Sequence, residues 1–510
     1  MFKKAFILYG CQIYKAVLPL AFTPLILNTL GAERYGMIAF FYMLVGLLGL
    51  LDAGISGSFL KLVATNRDVT INYRKVTVLF VKVLLLFIFI SGGVILFFII
   101  SDNFIATSWL KTSIEKHEAI YSIKAIGFIL AALYIKSYLS SFLNGMEKQE
   151  WVNIWSVFYS SLFYFGTYYA IREIERTLYV FFNVMLTLAI LDVLAIFGLT
   201  IYAYISHINK LKKIESNKRY QLDEQNGNEL KFKNVLRFSL QLSGLSLIWV
   251  VATQIDRFVL SAYISLEEYA KYQIAVQVCA VIAIFSSPLT QLLLPRLSAL
   301  YADNKLNEYA KLYCSVMLIF IIVFAPIMPY FFIFGDDLIT LWMSDHVLAE
   351  SINAYAKWLV SAAYIAATMN FIFILLYTLG QLKKHFYAYA IYSCFTILVS
   401  IYIASNYGAV GSAKFVFFHT IIFMLLWGGA QIKSKLPCFI VLCVVVYISV
   451  ILSSTLFFGF SFYIMDNYDL HGSLKLFIPP IIHLFFYACL VYFFKKRISS
   501  FISNLSLVLN

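Results

Sequence analysis

Apolar stretches of about 20 residues, broken by short polar segments, recur along the whole chain. That is the length at which a helix crosses a hydrocarbon core about 30 Å thick. Read on that basis, the sequence predicts fourteen spanning helices at 5–29, 36–59, 77–100, 119–143, 151–171, 177–205, 236–262, 272–295, 312–334, 355–380, 386–404, 411–430, 437–463 and 476–494. The expected fold class is therefore an all-α polytopic membrane protein.

Composition agrees. Of 510 residues, 62% are hydrophobic and only 13% charged, about half the charged share of a soluble domain. A soluble enzyme is excluded. The net charge of +13 does not indicate a nucleic-acid partner, because the basic residues sit in short clusters between apolar runs and form no continuous stripe. They set orientation instead. With the N-terminus inside, 25 of the 39 Lys and Arg residues fall in cytoplasmic segments and 8 in outer ones. Both termini are expected in the cytoplasm, and the start, despite its lysines and apolar run, reads as a retained helix, since Lys15 interrupts it and no A-x-A site follows.

The longest polar stretch, 207–237, with Asn-Gly-Asn at its centre, reads as a linker. It divides an N-terminal lobe (1–206) from a C-terminal lobe (236–431), across a linker at 207–235, with residues 432–510 as an appended helix pair and tail. Leu30-Gly-Ala-Glu-Arg-Tyr-Gly36 has an echo in Ile264-Ser-Leu-Glu-Glu-Tyr-Ala270, 234 residues later. The echo predicts two six-helix lobes in parallel repeat, with a cavity between them. The seven cysteines form no C-x-x-C pair and the histidines lack metal spacing, so neither a zinc site nor a cofactor is expected.

Six basic residues remain inside spans: Lys15, Lys82, Lys124, Lys136, Arg257 and Lys414. So do three acidic ones, Asp52, Asp192 and Asp256. A charge at the bilayer centre costs about 2.5–3.5 kcal/mol on insertion scales, so each should face the protein interior, a partner or water. Lys15 lies roughly 15 Å deep at 1.5 Å per residue. Pro19 cannot donate to its carbonyl, and Pro24 repeats the defect, so these two prolines are the expected hinge. Asp192, equally central, could pair with Lys15 or serve ion coupling. Asp256 and Arg257 are neighbours pointing ~100° apart, and so need separate partners. Lys82, Lys124, Lys136 and Lys414 lie near span ends, where lysine stems reach the interface. Lys136 stands out because Lys124 and Tyr134 share its helix. Asp52 reads equally as a cap on a break at Gly54 and Gly57 or as a transport residue.

Several blocks resemble one family. Pro24-Leu-Ile-Leu-Asn-Thr-Leu-Gly-Ala-Glu-Arg-Tyr-Gly36 and Leu51-Asp-Ala-Gly54 resemble the opening of O-antigen (Wzx-like) repeat-unit flippases of the multidrug/oligosaccharidyl-lipid/polysaccharide exporter superfamily. Asn144-Gly-Met-Glu-Lys148, Gln254-Ile-Asp-Arg-Phe-Val-Leu260, Leu294-Pro-Arg-Leu-Ser298, Leu379-Gly-Gln-Leu-Lys-Lys384 and Tyr407-Gly-Ala-Val-Gly-Ser412 follow in family order. The resemblance implies a bacterial cytoplasmic-membrane flippase moving an undecaprenyl-pyrophosphate-linked oligosaccharide by alternating access. It also implies Na+ or H+ as coupling ion and association with polysaccharide polymerase machinery. On that reading Lys15, Arg257 and Lys136 attract the pyrophosphate, while Asp52, Asp192 and Asp256 balance charge or couple an ion. The fourteen helices depart from the family's usual twelve, towards the lipid II flippase branch.

A lipid II flippase and an ion-coupled multidrug exporter are the alternatives. Six embedded basic residues against three acidic ones favour an anionic cargo. A membrane glycosyltransferase or polymerase would need an outer carboxylate segment. The best candidate, Gly335-Asp-Asp337 to Glu350, reads as a loop with a short surface helix, with little room for an acceptor. An ATP-driven pump lacks its phosphate loop.

Overall fold

The computed structural model describes residues 2–52, 55–66, 70–215, 248, 250–251, 253–467 and 473–503. Within them the protein is all α-helical, apart from one isolated bridge between Lys111 and Ser265. The helices are α1 (Phe2–Leu30), α2 (Ala32–Asp52), α3 (Ile55–Asn66), α4 (Thr70–Phe104), α5 (Lys116–Gly145), α6 (Gln149–Glu173) and α7 (Leu178–Glu215). There follow α8 (253–263), α9 (Leu266–Ala302), α10 (Leu306–Phe324), α11 (Ile327–Met343), α12 (His346–Thr378), α13 (Leu382–Phe423), α14 (Gly429–Lys435), α15 (Pro437–Asn467) and α16 (Ser473–Ser503).

Each predicted span falls on helix over most of its described length. Nine helical stretches among the described residues are long and apolar enough to cross a membrane. Two of these, Leu306–Met343 and Leu382–Lys435, contain more than one helix. By contrast α6 is a full helix of 25 residues that falls short on apolarity, because Tyr, Ser, Trp and Asn interrupt it. Large apolar side chains such as Phe89, Leu456 and Phe485 are more than two-thirds exposed. In water such a surface would aggregate; in lipid it is the expected outer face.

The chain forms two compact units, Met1–Ala270 and Lys271–Asn510. In the first, α5 packs against α2, α3, α4, α6 and α7. Its small residues Ala119, Ala125, Gly127 and Ala131 let neighbours approach, and Phe98 of α4 closes over Gly127. In the second, α12 occupies the centre, against α10, α11 and α13.

Three expectations change. Residues 207–215 of the expected linker continue α7, and 216–235 lie outside the described residues. The span expected at 312–334 is instead broken at Ala325-Pro326, and Gly335-Asp-Asp337 belongs to helix α11 rather than a loop. Proline is tolerated at a helix start, so Pro326 separates α10 from α11 while seeding the latter. Asp337 faces Lys475 at 3.3 Å, and Asp345 caps α12 by accepting from Leu348 N at 3.0 Å. Those carboxylates are structural. Gly54 also lies outside the described residues.

Candidate functional site

Three embedded charges of the first unit, Lys15, Lys136 and Asp192, converge on α6. On one side of that helix, Lys15 Nζ donates to Asn153 Oδ1 at 3.2 Å. Asn153 Nδ2 is spent on the Gln149 carbonyl at 2.9 Å, which turns its oxygen towards the lysine. Next to Lys15, the Tyr14 and Ser161 hydroxyls lie 2.8 Å apart. On the other side, Lys136 of α5 forms an ion pair with Asp192 of α7. Asp192 is fully buried, and its second oxygen accepts from Trp155 Nε1 at 2.8 Å. The Lys136 ammonium also lies 4.8 Å from the Tyr159 ring centroid.

Trp155 and Tyr159 are four residues apart, so one face of α6 serves the Lys136–Asp192 pair, while Asn153 serves Lys15. Among the described residues, Lys15 has no carboxylate within ion-pair distance, so the two lysines and one carboxylate that meet on α6 leave one basic group in excess.

This arrangement corrects parts of the sequence reading. Asp192 pairs with Lys136, not with Lys15, because α5 and α7 pack along their length. Lys124, about half exposed, pairs with Asp102 near the end of α4 at 3.1 Å. Tyr134 takes no part in the Lys136 site. Its hydroxyl donates to the Leu51 carbonyl at 2.9 Å and its ring stacks on Phe87, 4.4 Å between centroids. Lys414 lies 5.7 Å from the Trp358 ring centroid, and Lys82 is exposed. Asn153, Trp155 and Tyr159 were not picked out by sequence. The available signal was polar and aromatic residues at helical spacing within a membrane-length segment.

Asp52 closes α2, and its Oδ1 accepts from the backbone N of Ser56 at 3.3 Å and from its hydroxyl, capping α3. Arg257 Nη1 donates to Gln254 Oε1 at 2.9 Å, leaving its Nε buried without a hydrogen bond. Gln254 in turn lies against Gly46, where an added Cβ would come within 2.9 Å of it. Asp256 is itself engaged by a partner. Pro19 and Pro24 lie inside an α1 that is helical throughout, and Thr23 Oγ1 donates to the Pro19 carbonyl at 2.8 Å.

The Leu30–Gly36 motif is a brace. Glu33 accepts from Thr112 Oγ1 at 2.9 Å and from Ser113, fixing the 111–115 segment. Arg34 grips Glu118 through two bonds of 3.0 and 3.1 Å. Glu118 also accepts from Leu178 N at 2.7 Å, capping α7. Gly36 meets the backbone of Leu266, so the motif and its echo touch.

The described residues thus form a helical scaffold with a broad apolar outer surface and charged side chains held between its helices. Residues 1–301 match the model of the polysaccharide biosynthesis protein family, and the chain belongs to that family. It is similar to a candidate O-antigen transporter of Shigella flexneri, 22% identical over 343 residues, or 67% of this chain and 76% of that protein. Among solved structures it is similar to the lipid II flippase MurJ in an inward closed conformation, with TM-score 0.61 and 14% identity over 97% of this chain and 100% of that one. An inward-facing multidrug transporter of the MATE family aligns with TM-score 0.60 and 15% identity, over 82% and 95% of the two chains. The fold is the one shared by these flippase and multidrug-transporter structures.

Proposed function

We propose that the protein flips a polyprenyl-pyrophosphate-linked oligosaccharide, such as an O-antigen repeat unit, across a bacterial cytoplasmic membrane by alternating access. The observation that carries this reading is the net positive cluster on α6, where Lys15 is held by the neutral oxygen of Asn153. A neutral acceptor leaves the ammonium charge available to an anion, whereas a carboxylate would cancel it. Lys136 and Asp192 act here as the support that fixes α5, α6 and α7 around Lys15. Arg257, with its unbonded buried Nε, is the second anion-attracting group in the proposal.

The match to a polysaccharide biosynthesis family supports a glycan cargo. A lipid II-type cargo is a second reading, favoured by the end-to-end fold likeness to MurJ. Both cargoes present a pyrophosphate, so the Lys15 chemistry serves either. Export of organic cations is less well supported, because Asp192 is already engaged by Lys136 and Trp155.

The test is surface glycan display in cells that depend on this protein. Lys15→Ala should lower display about tenfold or more, the worth of one charge-assisted hydrogen bond, with protein level unchanged. Lys15→Arg should restore much of it. Normal display in both Lys15→Ala and Arg257→Ala would reject the anion role, and rescue of peptidoglycan synthesis instead would select the lipid II reading.

A further inference from the structure

The second unit contains a groove that the transport reading leaves unused. Helix α13 turns back on itself at Gly408, so its first arm and the later segment running into α14 lie antiparallel with their far ends together. Between the arms is a cavity of about 1210 Å³, larger than the roughly 300–1,000 Å³ of sites for drug-sized molecules. Lys384, which is exposed, and Lys435, which is buried and engaged by another group, line one end of it with Gln381 and Ser434. Farther in, the lining is apolar, including Ile391, Phe395, Ile422 and Leu426. Ile391 and Leu426 are 74% and 72% exposed, so the groove opens sideways along its length.

The polar groups in the walls satisfy one another. Trp427 Nε1 donates to His385 Nδ1 at 3.0 Å, and the Tyr392 hydroxyl bonds His419. What remains for a ligand at that depth is apolar surface. Both lysines belong to the same end of the lining, and none of the lining residues is acidic. From Lys384 to Phe395 is eleven residues, about 17 Å at 1.5 Å per residue, close to half a hydrocarbon core of about 30 Å. The groove is therefore as deep as one leaflet. A turn of π-helix, Met424–Gly428, forms part of its wall, an irregularity that recurs at binding sites.

We propose that this groove holds one anionic phospholipid of the surrounding bilayer, its phosphate on Lys384 and Lys435 and an acyl chain along Ile391, Phe395 and Ile422. The leaflet-deep reach fits an acyl chain better than a longer polyprenyl chain. The site does not depend on the transport reading, and its test reads lipid binding rather than transport.

Full-length protein purified in detergent is offered phosphatidylglycerol and phosphatidylcholine with the same chains, and retained lipid is counted by native mass spectrometry. Phosphatidylglycerol should be retained preferentially, by about five-fold per lysine. Lys384→Gln, at an exposed position, should lower that preference about five-fold, while Lys82→Gln leaves it intact. In a second measurement, phosphatidylglycerol with brominated chains should quench a component of tryptophan fluorescence that is missing in Trp427→Phe. Equal retention of the two lipids, an unchanged preference in Lys384→Gln, quenching independent of Trp427, or retention of polyprenyl phosphate but not phosphatidylglycerol would each overturn the assignment.

Discussion

Lys136 and Asp192 form a pair whose removal has asymmetric consequences. Asp192 is fully buried, and among the described residues its partners are the Lys136 ammonium and the Trp155 N–H. Taking away one partner strands the other, which in buried pairs costs about 3–5 kcal/mol, whereas replacing both by apolar side chains is often neutral. Lys136→Met and Asp192→Leu are each expected to lower the thermal unfolding temperature in detergent, and the double variant should recover most of the loss. Lys15→Ala, which leaves Asn153 free to bond elsewhere, should unfold at nearly the wild-type temperature. Stability thus separates the supporting pair from the cation assigned to the substrate.

Helix packing depends on where side chains are missing. Gly46 on α2 admits the Gln254 side chain of α8, and through it the Arg257 guanidinium is held. Gly46→Leu should destabilise the protein by about 1–3 kcal/mol, the usual cost of overpacking, while Gly459→Ala, with open space around it, should not. Differential scanning fluorimetry distinguishes the two. Gly408 has φ 60° and ψ −151°, a conformation essentially closed to residues with a Cβ. Gly408→Val is expected to destabilise the α13 hairpin and, with it, the retention of phosphatidylglycerol. The existence of nearly every helix was legible in the pattern of apolar runs, because a segment of membrane length has few alternatives to a helix in lipid. The turn at Gly408 falls between the spans expected at 386–404 and 411–430. The break at Ala325-Pro326 was harder, because a proline inside apolar sequence can kink a helix or start a new one, and what the flanking helices touch decides which.

At the scale of the molecule, the bias of Lys and Arg predicts both termini and the turn at Lys148 in the cytoplasm, with 111–116 outside. Cysteine substituted at Ser113 should react with a membrane-impermeant maleimide in intact cells, and cysteine at Gln149 should react only after permeabilisation. The reverse pattern would invert the topology and with it the direction of transport.

By itself the amino-acid sequence determined that this protein lives in lipid, that it is built of helices, and that it holds several charges in oil. Those properties follow from summed transfer free energies, to which each residue contributes wherever its neighbours lie. Tertiary structure alone decided which charges cancel. Lys136 and Asp192 are 56 positions apart in the chain, and Lys15 and Asn153 are 138 apart, yet both pairs bond across packed helices. An isolated charge and a neutralised one look alike in sequence, because Coulomb energy depends on distance in space, and only the packing of α1, α5, α6 and α7 sets that distance.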